Sequence, residues 1–299
     1  MKELAFGKIL FAVDGSSHMR AAAYSVARLA HATSSEVILL HVLSDGPRRA
    51  GATDQTVEPP AWMDQIARVV ADANVRTTLQ ARLATADETA ETIVVAAKQF
   101  DVGLIALGSR GLSDLSGLFR GSVSHRVIAR SDCPVLVVRY GVRRPGGSIR
   151  RILLAIASGE DIPHALAAAK TIALATDAEV LVLHARYLVT GLDSWPYVEP
   201  DEIAEQSVVK VVWKLRKAGV RVAVHSPIAG AGIARAIARE AHDWDADLVV
   251  VGSRRLSDLA SLLRGGIDHD VIHLTDRPVL VAERPDRLVP GGLLAGATR

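Results

Sequence analysis

A glycine-rich segment near the middle of the first half is the part of this chain best suited to bind an anion. It runs Gly108-Ser109-Arg110-Gly111, nine further residues, and then Gly121-Ser122, and a helical pattern begins directly after it at Val123. Glycines let backbone N–H groups approach a ligand with no Cβ in the way. A helix start adds N–H donors without intrahelical partners and a partial positive charge. The segment therefore predicts a phosphate-binding loop.

The chain repeats itself over nearly its whole length. A shift of 143 residues aligns His41 with His184, and a shift of 144 aligns Gly108-Ser109-Arg110 with Gly252-Ser253-Arg254. A chain of 299 residues is long enough for two domains of about 150 residues each. We therefore predict a tandem duplication, with domains at residues 1–140 and 149–284 and a tail at 285–299.

Short apolar runs alternate with helical patterns in both halves. Runs such as 37–40 and 135–138 are continuously apolar, which is typical of strands buried on both faces of a parallel sheet. In each half, four strand-helix units follow one another and a fifth strand ends the series. This alternation predicts an α/β fold with right-handed crossovers. Ligands of such sheets bind beyond the carboxyl ends of the strands. Asp14, Val42 and the glycine segment each follow a predicted strand, so we expect them to meet at that edge.

Composition excludes several classes of protein. The formal net charge is +2 with no block of like charges, which gives no support for nucleic-acid binding. No apolar run reaches the ~20 residues of a membrane helix, and the first residues do not have the pattern of a signal peptide. The single cysteine, Cys133, excludes an intramolecular disulfide and suits a reducing compartment. We expect a cytoplasmic protein that binds neither membrane nor nucleic acid.

Motifs for catalysis are missing. The sequence has no G-x-x-x-x-G-K-[ST] loop, no H-E-x-x-H pair and no G-x-S-x-G elbow. His41 and His125 recur as His184 and His269 in the other half, which favours structural roles. We predict no catalytic residue and no metal ligand.

Three segments together resemble a known family. The glycine pattern, Val13-Asp14-Gly15-Ser16 after the first strand, and Asp132-Cys133-Pro134 before the fifth are similar to those of the universal stress protein family. The resemblance covers essentially the whole chain. It implies two Rossmann-like α/β sandwiches, each with a five-stranded parallel sheet in the order 3-2-1-4-5 and helices on both faces. It also implies that the final strands of the two halves pair in a pseudo-twofold arrangement, and we expect a homodimer in addition.

The glycine pattern also resembles that of the family's ATP-binding subgroup, which implies roles for particular residues. Asp14 would lie beside the ribose and adenine, and Val42 in the adenine pocket, while the loop glycines and hydroxyl would hold phosphates. The sequence leaves open whether Mg²⁺ binds together with ATP, mainly through the phosphates. The residues expected to bind the nucleotide are Ala12, Val13, Asp14, Val42, Leu107, Gly108, Ser109, Arg110, Gly111, Gly121, Ser122 and Val123.

Two of these residues have alternative explanations. Ionised Asp14 can accept hydrogen bonds from ribose hydroxyls or an exocyclic amine, but Asp14-Gly15-Ser16 is also a common turn composition. Ser122 can cap the helix that follows it as well as contact a phosphate.

The second half departs from the ligand pattern. Ala157 stands in the position of Asp14, Arg255 in that of Gly111 and Gly266 in that of Ser122. We therefore predict that the second domain binds ATP weakly or not at all. The leading hypothesis is a stress or signalling protein with ATP in its first domain. The alternatives are a slow ATPase or nucleotidyl-transfer enzyme on the same site, and an interaction scaffold without a ligand.

Overall fold

The computed structural model describes eleven stretches of the chain, and all structural statements below concern them: residues 6–16, 19–44, 55–109, 123–139, 147–156, 162–186, 188–189, 197–198, 202–230, 232–252 and 267–282. The strands are β1 Lys8–Val13, β2 Glu36–Ser44, β3 Gln55–Val57, β4 Thr77–Ala84, β5 Leu104–Ser109, β6 Val135–Arg139, β7 Arg151–Ala155, β8 Glu179–Leu183, β9 Leu188–Val189, β10 Tyr197–Val198, β11 Val222–His225, β12 Leu248–Gly252 and β13 Val279–Ala282. The helices are α1 Met19–Thr33, α2 Met63–Ala71, α3 Thr89–Gln99, α4 Val123–Arg130, α5 Ile162–Thr176, α6 Glu202–Lys217, α7 Ile233–Asp243 and α8 Ile267–Leu274, and a 3-10 turn, Ala86–Glu88, precedes α3.

Eleven of these strands form one continuous sheet. Its order is β11-β8-β7-β12-β13-β6-β5-β1-β2-β4-β3. Within each half the core strands run parallel, as β4-β2-β1-β5-β6 and as β11-β8-β7-β12-β13. Both halves therefore have the predicted order 3-2-1-4-5. The short antiparallel strand β3 beside β4, and the β9–β10 pair, were not predicted from the sequence.

The two halves join through their last strands. Strands β6 and β13 pair antiparallel, with Val137 opposite Val279 and Val135 opposite Val281, which confirms the predicted internal pairing. Antiparallel pairing of equivalent strands is the arrangement that a pseudo-twofold axis requires. We call this β6–β13 junction the seam. It covers two apolar strand edges that would otherwise be open to other chains.

Apolar side chains fill both faces of this sheet. Alternate strand residues point to opposite faces, so Ile9, Phe11 and Val13 pack with α1 and α2, whereas Leu10 and Ala12 pack with α3 and α4. The same division holds in the second half, with α5 and α6 on one face and α7 and α8 on the other. Helix α1 also packs against α5 across the seam. Each core layer thus runs through both halves.

The repeat extends to the backbone conformation of the helix ends. Ser34 and Asp177, which follow α1 and α5, have φ of 53° and 52°, and Asp101 and Asp245, which follow α3 and α7, have φ of 52° and 55°. Helices commonly end in this left-handed conformation, and Asp tolerates it better than most residues. The chain therefore leaves equivalent helices in the same direction in both halves.

Gly103 breaks the apolar run before β5 for a steric reason. A Cβ at this position would lie 2.4 Å from the backbone oxygen of Phe6. The backbone N–H of Gly103 also donates to the oxygen of Lys8. Only glycine therefore allows the start of β5 to lie this close to the segment that leads into β1.

Two arginines of the first half cross the seam. Arg28 of α1 approaches Asp247, with Nη1 4.0 Å from Oδ1, and both side chains are about nine-tenths buried. Arg139, the last residue of β6, donates from Nη1 to the backbone oxygens of His273 at 2.5 Å and Thr275 at 2.9 Å. Burial lowers the pKa of both arginines, and the nearby Asp247 and Asp276 carboxylates partly offset this effect.

None of the helices in the described stretches combines the length and the apolar character that crossing a membrane requires.

Candidate functional site

The candidate site lies where β1 ends between two longer neighbours. Val13, the last residue of β1, is opposite His41 of β2, and β2 continues for three more residues to Ser44. On the other side, Ala12 is opposite Leu107, and β5 continues to Ser109. The chain reverses its direction of winding between β1 and β5, which is the point where sheets of this order bind ligands. Because β1 ends before both of its neighbours, the sheet edge has a notch at this point, and the turn that begins at Asp14 lies in it.

Four of the predicted ligand residues form an apolar surface on one side of this notch. Leu107 is buried, and Ala12, Val42 and Val123 are partly buried against the same core layer. They come from three adjacent strands and from the first residue of α4. Their common face follows from the alternation of side chains along paired strands. The fold therefore places these four predicted ligand residues against one core layer, and their roles in binding stay predictions.

The carboxylate of Asp14 takes part in a turn at the head of this surface. The backbone N–H of Ser16 donates to Asp14 Oδ1 at 3.0 Å, and the Asp14 side chain is exposed. This is the Asx turn that the composition of the segment allows. A carboxylate has about four acceptor positions, so this backbone bond does not by itself prevent a ligand hydroxyl or amine from donating to the same group. The turn role is thus present, and it is compatible with ligand binding.

His41 and Trp62 support that turn from the opposite face of the sheet. His41 Nδ1 donates to the backbone oxygen of Val13 at 2.8 Å. The Trp62 ring meets the His41 ring edge to face, with the centroids 4.9 Å apart. A Cβ on Gly15, whose φ is +74°, would lie 3.2 Å from Cζ2 of Trp62. The structural role predicted for His41 fits this contact, whereas sequence reasoning missed Trp62, which has no motif around it.

The second half repeats the histidine contact. His184 Nδ1 lies 3.4 Å from the oxygen of Ile156, the residue that corresponds to Val13. His184 is 5% exposed, and among the described residues its Nε2 finds no hydrogen-bond partner. A contact present in both halves, including the half that lost the ligand pattern, belongs to the scaffold. It fixes the end of the first strand of each domain.

Gly108 and Ser109 extend β5 past the apolar surface. A Cβ on Gly108 would meet the terminal methyl of Met19 at 1.9 Å, so any larger residue would displace that side chain. Ser109 is opposite Arg139 in the β5–β6 register, which places it beside the residue that crosses the seam. The predicted phosphate-side residues Arg110, Gly111, Gly121 and Ser122 lie outside the described residues, and their roles stay predictions.

The described part of the site suits the adenosine portion of a nucleotide. An apolar surface can carry a base, and the Asp14 carboxylate beside it accepts hydrogen bonds from hydroxyl or amino groups. Strand β5 ends at Ser109, and α4 begins at Val123 on the same side of the sheet. Within the described stretches, no group of three or more metal-ligating side chains occurs.

Comparison with known proteins assigns the family. The model of the universal stress protein family matches residues 5–139 and again residues 148–283. The chain therefore belongs to the universal stress protein family and contains two of its domains. The domain limits predicted from the sequence differ from these matches by a few residues and stay predictions.

Similar proteins include single-domain and tandem relatives. A universal stress protein of Bacillus subtilis is 33% identical over 147 residues, which is 45% of this chain and 99% of that protein. A universal stress protein of Mycobacterium tuberculosis is 26% identical over 290 residues, covering 92% of this chain and 95% of the relative. The crystal structure of a universal stress protein from Archaeoglobus fulgidus has a TM-score of 0.67 at 21% identity, covering 94% and 97% of the two chains. This structural similarity supports the fold assignment.

Proposed function

We propose that this chain is a nucleotide-binding signalling protein that holds one ATP in its first domain. One observation carries the proposal: Ala12, Val42 and Leu107 lie on one face of three adjacent strands, Val123 packs against the same core layer, and the exposed Asp14 directly follows β1 at this edge. These residues are distant in sequence, and they converge at the strand-order reversal where sheets of this type bind ligands.

We propose one orientation for the nucleotide in this site. The base lies on the apolar surface, and the ribose hydroxyls donate to Asp14. A carboxylate repels phosphate, so the phosphates lie away from Asp14, toward the segment between Ser109 and Val123. That segment supplies the glycine pattern, and the amino end of α4 adds backbone donors with a favourable dipole. Mg²⁺ enters with the phosphates in this proposal.

ATP acts as a signal only if two states of the protein bind it with different affinity. Residue Ser109, at the site, is opposite Arg139, which contacts the end of α8 in the second domain. In this proposal the second domain, which has Ala157 in place of the carboxylate, responds to the ATP-bound state of the first domain and does not bind ATP itself. We place this activity in the cytoplasm, in line with the single cysteine.

The direct test is to denature the purified full chain and identify the released nucleotide by mass spectrometry. We expect about one ATP per chain, lost in Asp14→Ala and in Gly121→Ala. Loss of a charge-assisted hydrogen bond costs about 1.5–3 kcal/mol, so titration calorimetry on nucleotide-free Asp14→Ala should show Kd raised by about 10- to 100-fold. Asp72→Ala, an exposed carboxylate at the end of α2, is the matched control and should bind normally.

Other outcomes separate the alternatives. ADP in place of ATP, with phosphate release that stops in Gly121→Ala, would favour the slow hydrolase. Absence of nucleotide, together with no binding on titration, would refute the proposal and favour the ligand-free scaffold. Two ATP molecules per chain would show that the second domain also binds, contrary to the loss of its carboxylate.

A further inference from the structure

Exposed apolar side chains concentrate in one region of the second half. Of the described residues, seven large apolar side chains are exposed, and four of them fall between 209 and 228. The two most exposed are Val209 at 68% and Trp213 at 58%, one helical turn apart on α6. Isolated surface apolar residues are ordinary, but neighbouring ones of this size mark interaction surfaces.

These two residues belong to a regular stripe along α6. Glu205, Val209, Trp213 and Lys217 are spaced by four residues, and all four are exposed. Residues four apart form one ridge on a helix surface. The opposite side of the helix, which includes Val211 and Leu215, is buried in the core. The stripe therefore runs from an acidic end through an apolar centre to a basic end.

The order of residues in the stripe is self-complementary. If a second α6 lies antiparallel across the first, with the twofold axis crossing the stripe midway between Val209 and Trp213, then Glu205 faces Lys217 of the other copy and Val209 faces its Trp213. Both pairs occur twice, because an isologous interface brings residue i to j and j to i. Ridges of residues four apart pack against each other in the commonest class of helix crossing. We infer that α6 is the surface through which two copies of this chain form a homodimer.

Helix electrostatics alone do not account for the stripe. Acidic residues in the first turn and basic residues in the last stabilise any helix through its dipole, by about 0.3–1 kcal/mol each. That effect gives no reason for two large apolar side chains between the charges. Lys217 Nζ lies 4.7 Å from the centroid of the Trp213 ring, so the basic end and the apolar centre form one continuous surface.

The corresponding helix of the first half has no such surface. Helix α2 also follows the second strand of its domain, and it packs on the same face of the sheet as α6. Its exposed positions are Asp64, Gln65, Arg68 and Ala71, and it carries no exposed large apolar residue. The stripe is thus a property of α6 rather than of the fold.

Charge reversal tests the pairing. Sedimentation velocity on the full chain should give twice the 31.8 kDa of one chain at tens of micromolar protein, with weaker association at high salt. Glu205→Lys and Lys217→Glu each create two like-charge pairs, so each should raise the dimer dissociation constant at least about tenfold. An equimolar mixture of the two variants should restore the dimer, because each of the two charged pairs between the chains then joins one acidic and one basic side chain. Circular dichroism checks that each variant is folded.

Two further variants complete the design. Trp213→Ser should give a folded monomer, because it removes the apolar centre from an exposed position. Arg76→Glu reverses an exposed charge outside α6 and should leave the dimer unchanged. A wild-type chain that is monomeric at about 100 µM overturns the proposal, whatever else covers α6. A dimer that both single charge reversals leave intact, or a mixture that stays monomeric, also overturns it.

Discussion

Arg139 connects the two halves of the molecule at the end of the seam, and its removal tests how much that connection contributes to stability. The guanidinium donates to two backbone oxygens near the end of α8, those of His273 and Thr275. The last carbonyls of a helix have no intrahelical partner. Arg139→Met retains a long apolar side chain but removes every N–H donor, so both carbonyls lose this partner.

The expected cost follows from these contacts. A hydrogen bond to a charged group contributes about 1.5–3 kcal/mol, so two bonds set an upper value of about 3–6 kcal/mol. Burial lowers the pKa of Arg139, which shows that holding the charge in this place has its own cost. Methionine removes that desolvation, and water reaches part of this half-buried position. We therefore expect the free energy of unfolding to fall by about 2–3 kcal/mol.

Urea denaturation of the full chain, followed by circular dichroism and tryptophan fluorescence, measures this change. The matched control is Arg130→Met, since Arg130 donates to Glu91 at 2.8 Å and both side chains are 52% exposed. Such surface pairs contribute about 0–1 kcal/mol. An Arg139→Met variant within about 0.5 kcal/mol of wild type, no different from the control, would refute the role given to the seam contact.

Three further outcomes are expected. Gly103→Ala should lower the free energy of unfolding by about 1–3 kcal/mol in thermal or urea unfolding, because its Cβ would lie 2.4 Å from a backbone oxygen that cannot move away cheaply, whereas Gly230→Ala, which has open space around it, should change little. His41→Ala should raise the dissociation constant for ATP in calorimetry, because it releases the end of β1 beside the site. Binding equal to that of the wild type would contradict this. Arg28→Met removes the charge that faces Asp247, whose Oδ2 keeps the backbone N–H groups of Arg150 and Arg151 as donors, and we expect the free energy of unfolding in urea to fall by about 1–3 kcal/mol, with an unchanged midpoint as the refuting result.

The order of the core strands could be expected once the family resemblance was noticed. Continuous apolar runs marked the buried strands, and the family resemblance implied that β6 and β13, both of them apolar edges, would pair. The added strand β3 gave no such signal, because Gln55–Val57 is short and partly polar. Its place beside β4 is decided by an open sheet edge rather than by its own composition.

Part of the site could be predicted from the sequence, because the residues concerned lie on strands or directly after them. Ala12, Val42 and Leu107 could be placed on one face because strand residues alternate, and Asp14 because it directly follows a strand. Trp62 could not be placed, since its contact with Gly15 and His41 depends on how α2 approaches the sheet. Arg139 was likewise missed, because its partners belong to a helix of the other half.

The duplication itself separates scaffold from function. Contacts that both halves retain, such as the histidine bond to the end of the first strand and the left-handed residue after each first helix, hold the common fold. Differences that would weaken a ligand site are visible in the sequence, where Ala157 stands in the position of Asp14. Arg277 stands where the first half has Cys133; it is 1% exposed and pairs with Asp245 and Asp276, both at 3.1 Å. The second half therefore has a buried arginine with two carboxylates where the first half has a partly buried cysteine, so the two halves have diverged at this position as well.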